Sequence, residues 1–212
     1  MKKILGIIPC RSNSKEIPNK NIKKINGKPM ILYVIKSSLK SQIFEKIVIS
    51  TDSKKYINII KKLLSKSDLN KVIFHKRSKI SATDNAKTEI VLLEVLKKYN
   101  VFDDCYLIQA TSPLTNYIDF KKSYKLFVKK DYDSLLSVTN FSKFVWKKNK
   151  EYYTPINYNL FKRPMRQNSK KQYYENGAFY IFKVKKFLKI KNRLFGRIGL
   201  YEMPETRSIE ID

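Results

Sequence analysis

The chain has 212 residues, 42% hydrophobic and 13% aromatic, enough apolar side chain for one ordinary domain and too much for a disordered segment. Its 45 Lys and Arg against 18 Asp and Glu give a net charge of +27. Nucleic acid is the reflex partner for such a balance. The basic residues, however, are mostly lysines spread along the whole chain, with no basic stripe interleaved with aromatics. They read as drift over a solvated surface, whose field draws anionic substrates inward.

In chain order, the short apolar run Ile4–Ile8 predicts the first, central strand. Pro29 suits the first turn of a helix to about Lys40, with Met30, Val34, Ile35 and Leu39 on one face. Lys46–Ser50 predicts a second strand. Asp52 or Ser53 then caps a helix that turns Ile57, Ile60 and Leu64 inward. Val72–His75 predicts a third strand, and Thr88–Tyr99 a helix with Ile90, Leu93 and Leu96 in period. Cys105–Gln109 is the fourth strand, followed by a helix from about Tyr117 to Lys129 and the strand Ser134–Val138. This alternation predicts an α/β fold: a Rossmann-like, doubly wound, mostly parallel sheet with helices on both faces.

The rhythm breaks after Val138. Residues 141–175 are aromatic, basic and irregular, and suit a β-excursion, a lid or an oligomer contact. Gly177–Phe182 resumes as a strand, Lys185–Ile190 suits a short helix, and Gly199–Tyr201 is the last strand before an acidic tail. No internal repeat or low-complexity linker divides the chain. Cys10 and Cys105 match no metal or redox spacing and read as free thiols in a reducing compartment. Met1-Lys2-Lys3 is followed by an apolar run too short for a signal peptide, and no stretch approaches the roughly 20 apolar residues of a membrane span. The expectation is a cytoplasmic protein with no membrane and no nucleic-acid partner.

Ligands of parallel sheets bind outside the carboxyl ends of the strands. There the first strand empties into IPCRSNSKEIPNKN, a polar loop with Arg11, Lys15 and Lys20 and no glycine. No G-x-G-x-x-G and no G-x-x-x-x-G-K-[ST] is present, so neither a dinucleotide fingerprint nor a P-loop explains it. The single His75 argues against a His triad or a His-rich metal site, and suits a strand end or the core. What remains is cationic. Side chains on one long loop can wrap a triphosphate where a P-loop uses backbone amides, and an Asn such as Asn13 can take the left-handed conformation that glycine otherwise supplies. A solvated basic loop is the bland alternative. Against it, only seven of the 45 basic residues are arginine, and one stands at the end of the first strand.

RSNSKEIPNKN resembles the N-terminal signature of the acylneuraminate cytidylyltransferases, commonly written A-R-x-G-S-K-G-x-P-x-K-N. The similarity runs on in order through Asn26-Gly27-Lys28-Pro29, Ser50-Thr51-Asp52, Arg77 with Thr83-Asp84-Asn85-Ala86, and Gln109-Ala110-Thr111-Ser112-Pro113-Leu114. It continues through Arg166-Gln167, Glu175-Asn176-Gly177-Ala178 and Ser208-Ile209-Glu210-Ile211-Asp212, nearly the whole chain.

The resemblance implies one nucleotidyltransferase domain over 1–212, of the nucleotide-diphospho-sugar transferase type, with 141–175 as a dimerisation or lid insert and a homodimer as the assembly. It implies transfer of CMP from CTP to the anomeric hydroxyl of a nonulosonic acid, such as sialic or legionaminic acid, with release of pyrophosphate. Arg11, Ser12, Asn13, Lys20 and Asn21 then hold the nucleotide, with Arg77 and Thr83 near its base or ribose. Gln109, Arg166, Gln167 and Asn176 face the sugar acid. Glu210 and Asp212 alternate along an extended segment, project to one face, and hold Mg²⁺. Arg11, Lys20 and Asp212 carry the catalysis.

Several residues depart from the pattern. Cys10 and Glu16 replace a usual Ala and Gly, so a negative charge enters the phosphate loop. Thr115 replaces an Arg, Glu210 replaces an Asp, and the family normally continues into a further helix after this point. A 3-deoxy-manno-octulosonate cytidylyltransferase is expected to show R-x-x-S-x-R-L-P-G-K, which is not the pattern here. The remaining alternatives are a degenerate, non-catalytic relative and a basic polyanion-binding module.

Overall fold

The computed structural model describes residues 2–12, 16–83, 86–165 and 171–211. The expectations for Asn13, Arg166, Gln167 and Asp212 therefore lie outside the described residues.

Seven strands form the central sheet: β1 (Ile4–Pro9), β4 (Lys46–Thr51), β5 (Val72–Lys76), β6 (Asp104–Ile108), β7 (Ser134–Phe141), β10 (Gln172–Lys183) and β11 (Ile198–Glu202). Their order is β11-β7-β10-β6-β1-β4-β5. β10 runs antiparallel to both neighbours, and every other pairing is parallel. Two small hairpins stand apart, β2 (Lys24–Ile25) with β3 (Lys28–Pro29), and β8 (Trp146–Asn149) with β9 (Tyr152–Pro155). The helices are α1 (Met30–Ser41), α2 (Lys54–Leu63), α3 (Lys66–Lys71), α4 (Lys79–Ala82), α5 (Thr88–Lys98), α6 (Tyr117–Lys129) and α7 (Val184–Ile190).

Strand alternation splits the core into two layers. Ile4, Ile8, Ile47, Ile49, Tyr106 and Ile108 face α1, α2 and α6, where Phe44, Phe120 and Phe127 pack. Leu5, Ile7, Val48, Cys105 and Leu107 face the other way, toward Leu92, Val95 and Leu96 of α5 and Phe187 of α7. Helices thus cover both faces, as the alternation of apolar runs predicts. Both cysteines are buried and free.

Local details depart from expectation for physical reasons. Pro29 ends β3 and is the N-cap of α1, so the helix proper begins at Met30. Ser53, not Asp52, caps α2, accepting from the Tyr56 N–H at 3.3 Å. Tyr56 and Ile60 form the buried face of α2, and Ile57 is only half-buried. On α5 the buried stripe is Val91, Leu92, Val95 and Leu96, one step round from the predicted Ile90 and Leu93. In an apolar run this dense, period alone leaves the face ambiguous, and docking against β1 and β4 decides it. Residues 141–175 hold the β8–β9 hairpin and extend both β7 and β10, so the irregular stretch is a β-excursion.

Candidate functional site

The carboxyl ends of β1, β5 and β6 open on one cavity of about 480 Å³. It is lined by Pro9, Arg11, Glu16, Lys20, Asn21, Arg77, Thr83, Ala86, Thr88, Val91, Gln109, Ala110 and Thr111. Six expected site residues converge there from three stretches of chain, after β1, β5 and β6: Arg11, Lys20, Asn21, Arg77, Thr83 and Gln109. The size suits a small-molecule ligand.

The loop after β1 is braced on both flanks. Cys10 N–H continues the ladder to Ser50 O at 2.8 Å. Asp52, at the end of β4, accepts both the N–H and the hydroxyl of Ser12, each at 2.8 Å. The hydroxyl expected at the nucleotide is thus committed to holding the loop. Asn21 is buried and donates to Arg11 O at 3.0 Å, tying the start of the loop to its exit. Arg11 itself reaches across to Thr83 O at 3.2 Å. Asn19 takes a left-handed φ of 55° just before the 3-10 turn Lys20–Ile22, the kind of position where Asn replaces glycine.

Arg77 follows β5, and its N–H bonds Thr51 O at 3.0 Å. Its guanidinium donates to Ser81 O, while Nε is buried with no hydrogen-bond partner among the described residues. Burial lowers its pKa from the ordinary arginine range, and Asp52 opposes the shift. Ser81 and Ser78 are held in turn by Glu94 of α5, with Ser81 Oγ donating at 2.8 Å. Burial pushes the Cys10 thiol up to about 12, so it stays protonated and offers no nucleophile at ordinary pH. Glu16 does line the cavity, an acid among three cations.

The C-terminal segment docks on the rim. Ile211 N–H donates to Thr111 O at 2.9 Å, and the Thr111 hydroxyl donates to Glu210 at 3.1 Å. The Glu210 carboxylate lies over Gly177, whose φ is +68°; a Cβ there would meet Oε2 at 2.7 Å. Asn176 is not in the cavity wall. It is 3% exposed, donates to Ser208 Oγ at 3.0 Å and accepts from the Ala178 N–H at 3.3 Å. Its amide holds the chain's own tail through Ser208. Thr115 is also buried, outside the cavity wall. Thr111, inside the Gln109–Leu114 motif, lines the cavity although its residue type alone signals no role. Asp52, in the Ser50-Thr51-Asp52 motif, braces the loop instead of capping α2.

The profile of the family described as Cytidylyltransferase matches residues 5–211. The chain belongs to this family. It is 32% identical to the N-acylneuraminate cytidylyltransferase of Escherichia coli, a match covering 99% of this chain and 49% of that one. It is 30% identical to the pseudaminic acid cytidylyltransferase of Campylobacter jejuni, covering 99% of this chain and 91% of that one. The chain therefore spans about half the length of the N-acylneuraminate relative and nearly all of the pseudaminic one. Among solved structures, a CMP:2-keto-3-deoxy-manno-octonic acid synthetase complexed with CTP shares the fold, with a TM-score of 0.69 at 17% identity over 95% of this chain and 90% of that one. Among the described residues no helix is long and apolar enough to cross a membrane.

Proposed function

We propose that this cytidylyltransferase-family chain transfers CMP from CTP to the anomeric hydroxyl of a nonulosonic acid and releases pyrophosphate. The observation that carries the reading is the convergence of Arg11, Lys20 and Arg77 on one cavity at the carboxyl edge of the sheet. Three cations at one wall suit a polyanionic ligand, and the unpartnered Nε of Arg77 leaves a donor to be satisfied. Relatives named for N-acylneuraminate and pseudaminic acid point to the acceptor class.

In this reading the sugar hydroxyl attacks the α-phosphorus in line, and pyrophosphate leaves. Positioning and charge neutralisation supply most of the rate. Arg11 and Lys20 bind the triphosphate and neutralise charge that shifts toward the leaving oxygens. Gln109, which follows β6 and also lines the cavity, is left for the sugar acid, with Arg166 and Gln167 as further candidates from the sequence.

Among the described residues no three His, Cys, Asp or Glu cluster into a metal cage. Mg²⁺ at such a site is commonly held by substrate phosphates and one or two carboxylates. Glu210, fixed at the cavity rim, and Asp212 are the residues that would hold it. Bound there, Mg²⁺ would supply positive charge against the phosphate oxygens.

A homodimer through 141–175 belongs to the same proposal. Its support is the apolar surface of the hairpin region: Trp146, Tyr152, Tyr153, Ile156 and Leu160 are exposed, and Phe161 is 95% exposed. The function is tested by pyrophosphate release from CTP and Mg²⁺ with a panel of nonulosonic acids. Release that requires one of the sugar acids supports it. Binding to heparin with a steep salt slope and no turnover overturns it in favour of a polyanion module.

A further inference from the structure

After β11 the chain leaves the core. Met203 is its last well-buried apolar side chain, and Ile209 and Glu210 are exposed. Ordering such a segment costs conformational entropy that hydrophobic burial does not offset. Polar contacts to three separate elements hold it instead.

The first is on α6. Asp119 is 0% exposed, a carboxylate buried in the first turn of α6. One oxygen accepts from the Asn116 N–H at 3.0 Å, closing the capping box of α6, and also from the Arg207 guanidinium. The other accepts from the Tyr201 hydroxyl at 3.3 Å. Arg207 lies in the 3-10 turn Glu205–Arg207, so the counter-charge of a buried helix residue is on the tail itself. The second contact is on β10, where Ser208 donates to Pro204 O at 2.9 Å and accepts from Asn176 at 3.0 Å. The third is on the loop after β6, where Thr111 holds Ile211 N–H and Glu210. Thr111 lines the cavity. The three contacts come in succession along the tail, so the first sets the register of the other two.

We propose that Arg207 is a positioning residue. Paired with Asp119, it fixes the register in which Ser208 reaches Asn176 and Glu210 reaches Thr111 at the cavity rim. The inference rests on reading the cavity as the nucleotide site. The pair forms in one register only, and that register delivers the Glu210 carboxylate to the cavity edge.

The test compares Arg207→Ala, Arg207→Lys and Ser208→Ala with the wild type. It reads amide exchange at Ile211 by NMR, CTP affinity by calorimetry without sugar acid, and kcat at saturating substrates. In Arg207→Ala, Ile211 exchange is expected to accelerate more than about tenfold, and kcat to fall roughly 100-fold, the order of an ångström-scale misplacement. CTP affinity is expected to stay within about threefold, because the contact is remote from the loop cations. Arg207→Lys is expected to restore part of both readouts, and Ser208→Ala to fall between. If Arg207→Ala does not fold because Asp119 is left unpaired, Asp119→Asn/Arg207→Ala removes both charges and carries the same test. A protected Ile211 amide, an unchanged kcat, or CTP affinity falling in step with kcat overturns the proposal. Wild-type protein that binds no CTP fails the nucleotide reading instead, while Ile211 exchange still reports on the clamp.

Discussion

Gly177→Ala tests the link between the turn in β10 and the acidic tail. Gly177 has φ +68°, and an added Cβ would lie 2.7 Å from Glu210 Oε2 and 3.0 Å from its Cδ. Two effects separate cleanly. A left-handed alanine costs about 1–2 kcal/mol whatever surrounds it. For a chain of this size that is a fall in Tm of about 2–8 °C. The steric effect is local: ordinary contact begins at 3.4 Å, so the carboxylate must retreat by about 0.7 Å. Glu210 is exposed and flexible, so the retreat costs little stability. It does move the carboxylate that Thr111 holds at the rim. The expected outcome is a modest loss of Tm with a kcat loss of roughly ten- to a hundredfold. In a Glu210→Ala background, Gly177→Ala should keep its full effect on Tm and lose its effect on kcat. Thermal melts and steady-state rates on the four proteins complete the cycle. Wild-type kcat in Gly177→Ala, or an equal kcat loss in both backgrounds, would refute the reasoning.

Other perturbations follow from the same contacts. Arg11→Ala removes a charge-assisted contact expected to be worth about 1.5–3 kcal/mol of CTP affinity, read by titration calorimetry; unchanged affinity removes Arg11 from the cradle. Asp212→Asn is expected to raise the Mg²⁺ concentration needed for half-maximal rate and leave metal-free CTP binding intact; wild-type rates across the titration would mean the tail is only solvated. Burial lowers the His75 pKa below 6.5, with Glu94 opposing the shift. Its contribution to stability is therefore complete above the unfolded pKa and is lost as pH falls from there through the folded value. His75→Gln should flatten the acid side of a stability–pH curve, and an unchanged slope would exclude it. Phe161→Ser is expected to weaken self-association in sedimentation, provided that the wild type is a dimer.

The sheet and most of its helices were legible because period-2 and period-3.6 patterns alternate cleanly from Ile4 to Val138. The direction of β10 was not, since an antiparallel strand between parallel neighbours has the same alternation as they do. The short α3 and α4 left no apolar stripe, and both rest on serine caps, Ser65 and Ser78. At the site, Arg11, Lys20, Asn21, Arg77, Thr83 and Gln109, which motif order groups together, line one cavity. The second layer was not visible. Ser12 reads as a ligand group until Asp52 is seen to take both its donors, and Asn176 reads likewise until Ser208 is found against it. Nor does Arg207 announce its partner, because Asp119 lies 88 residues earlier on a helix face.

The most direct test of the central claim is the identity of the bond formed. CTP, Mg²⁺ and the preferred nonulosonic acid are incubated with the protein and followed by phosphorus NMR. The account predicts one pyrophosphate for each new phosphodiester joining CMP to the anomeric oxygen, with no change in CTP when the sugar acid is omitted. Free CMP as the product, or CTP consumption that ignores the sugar acid, would contradict it.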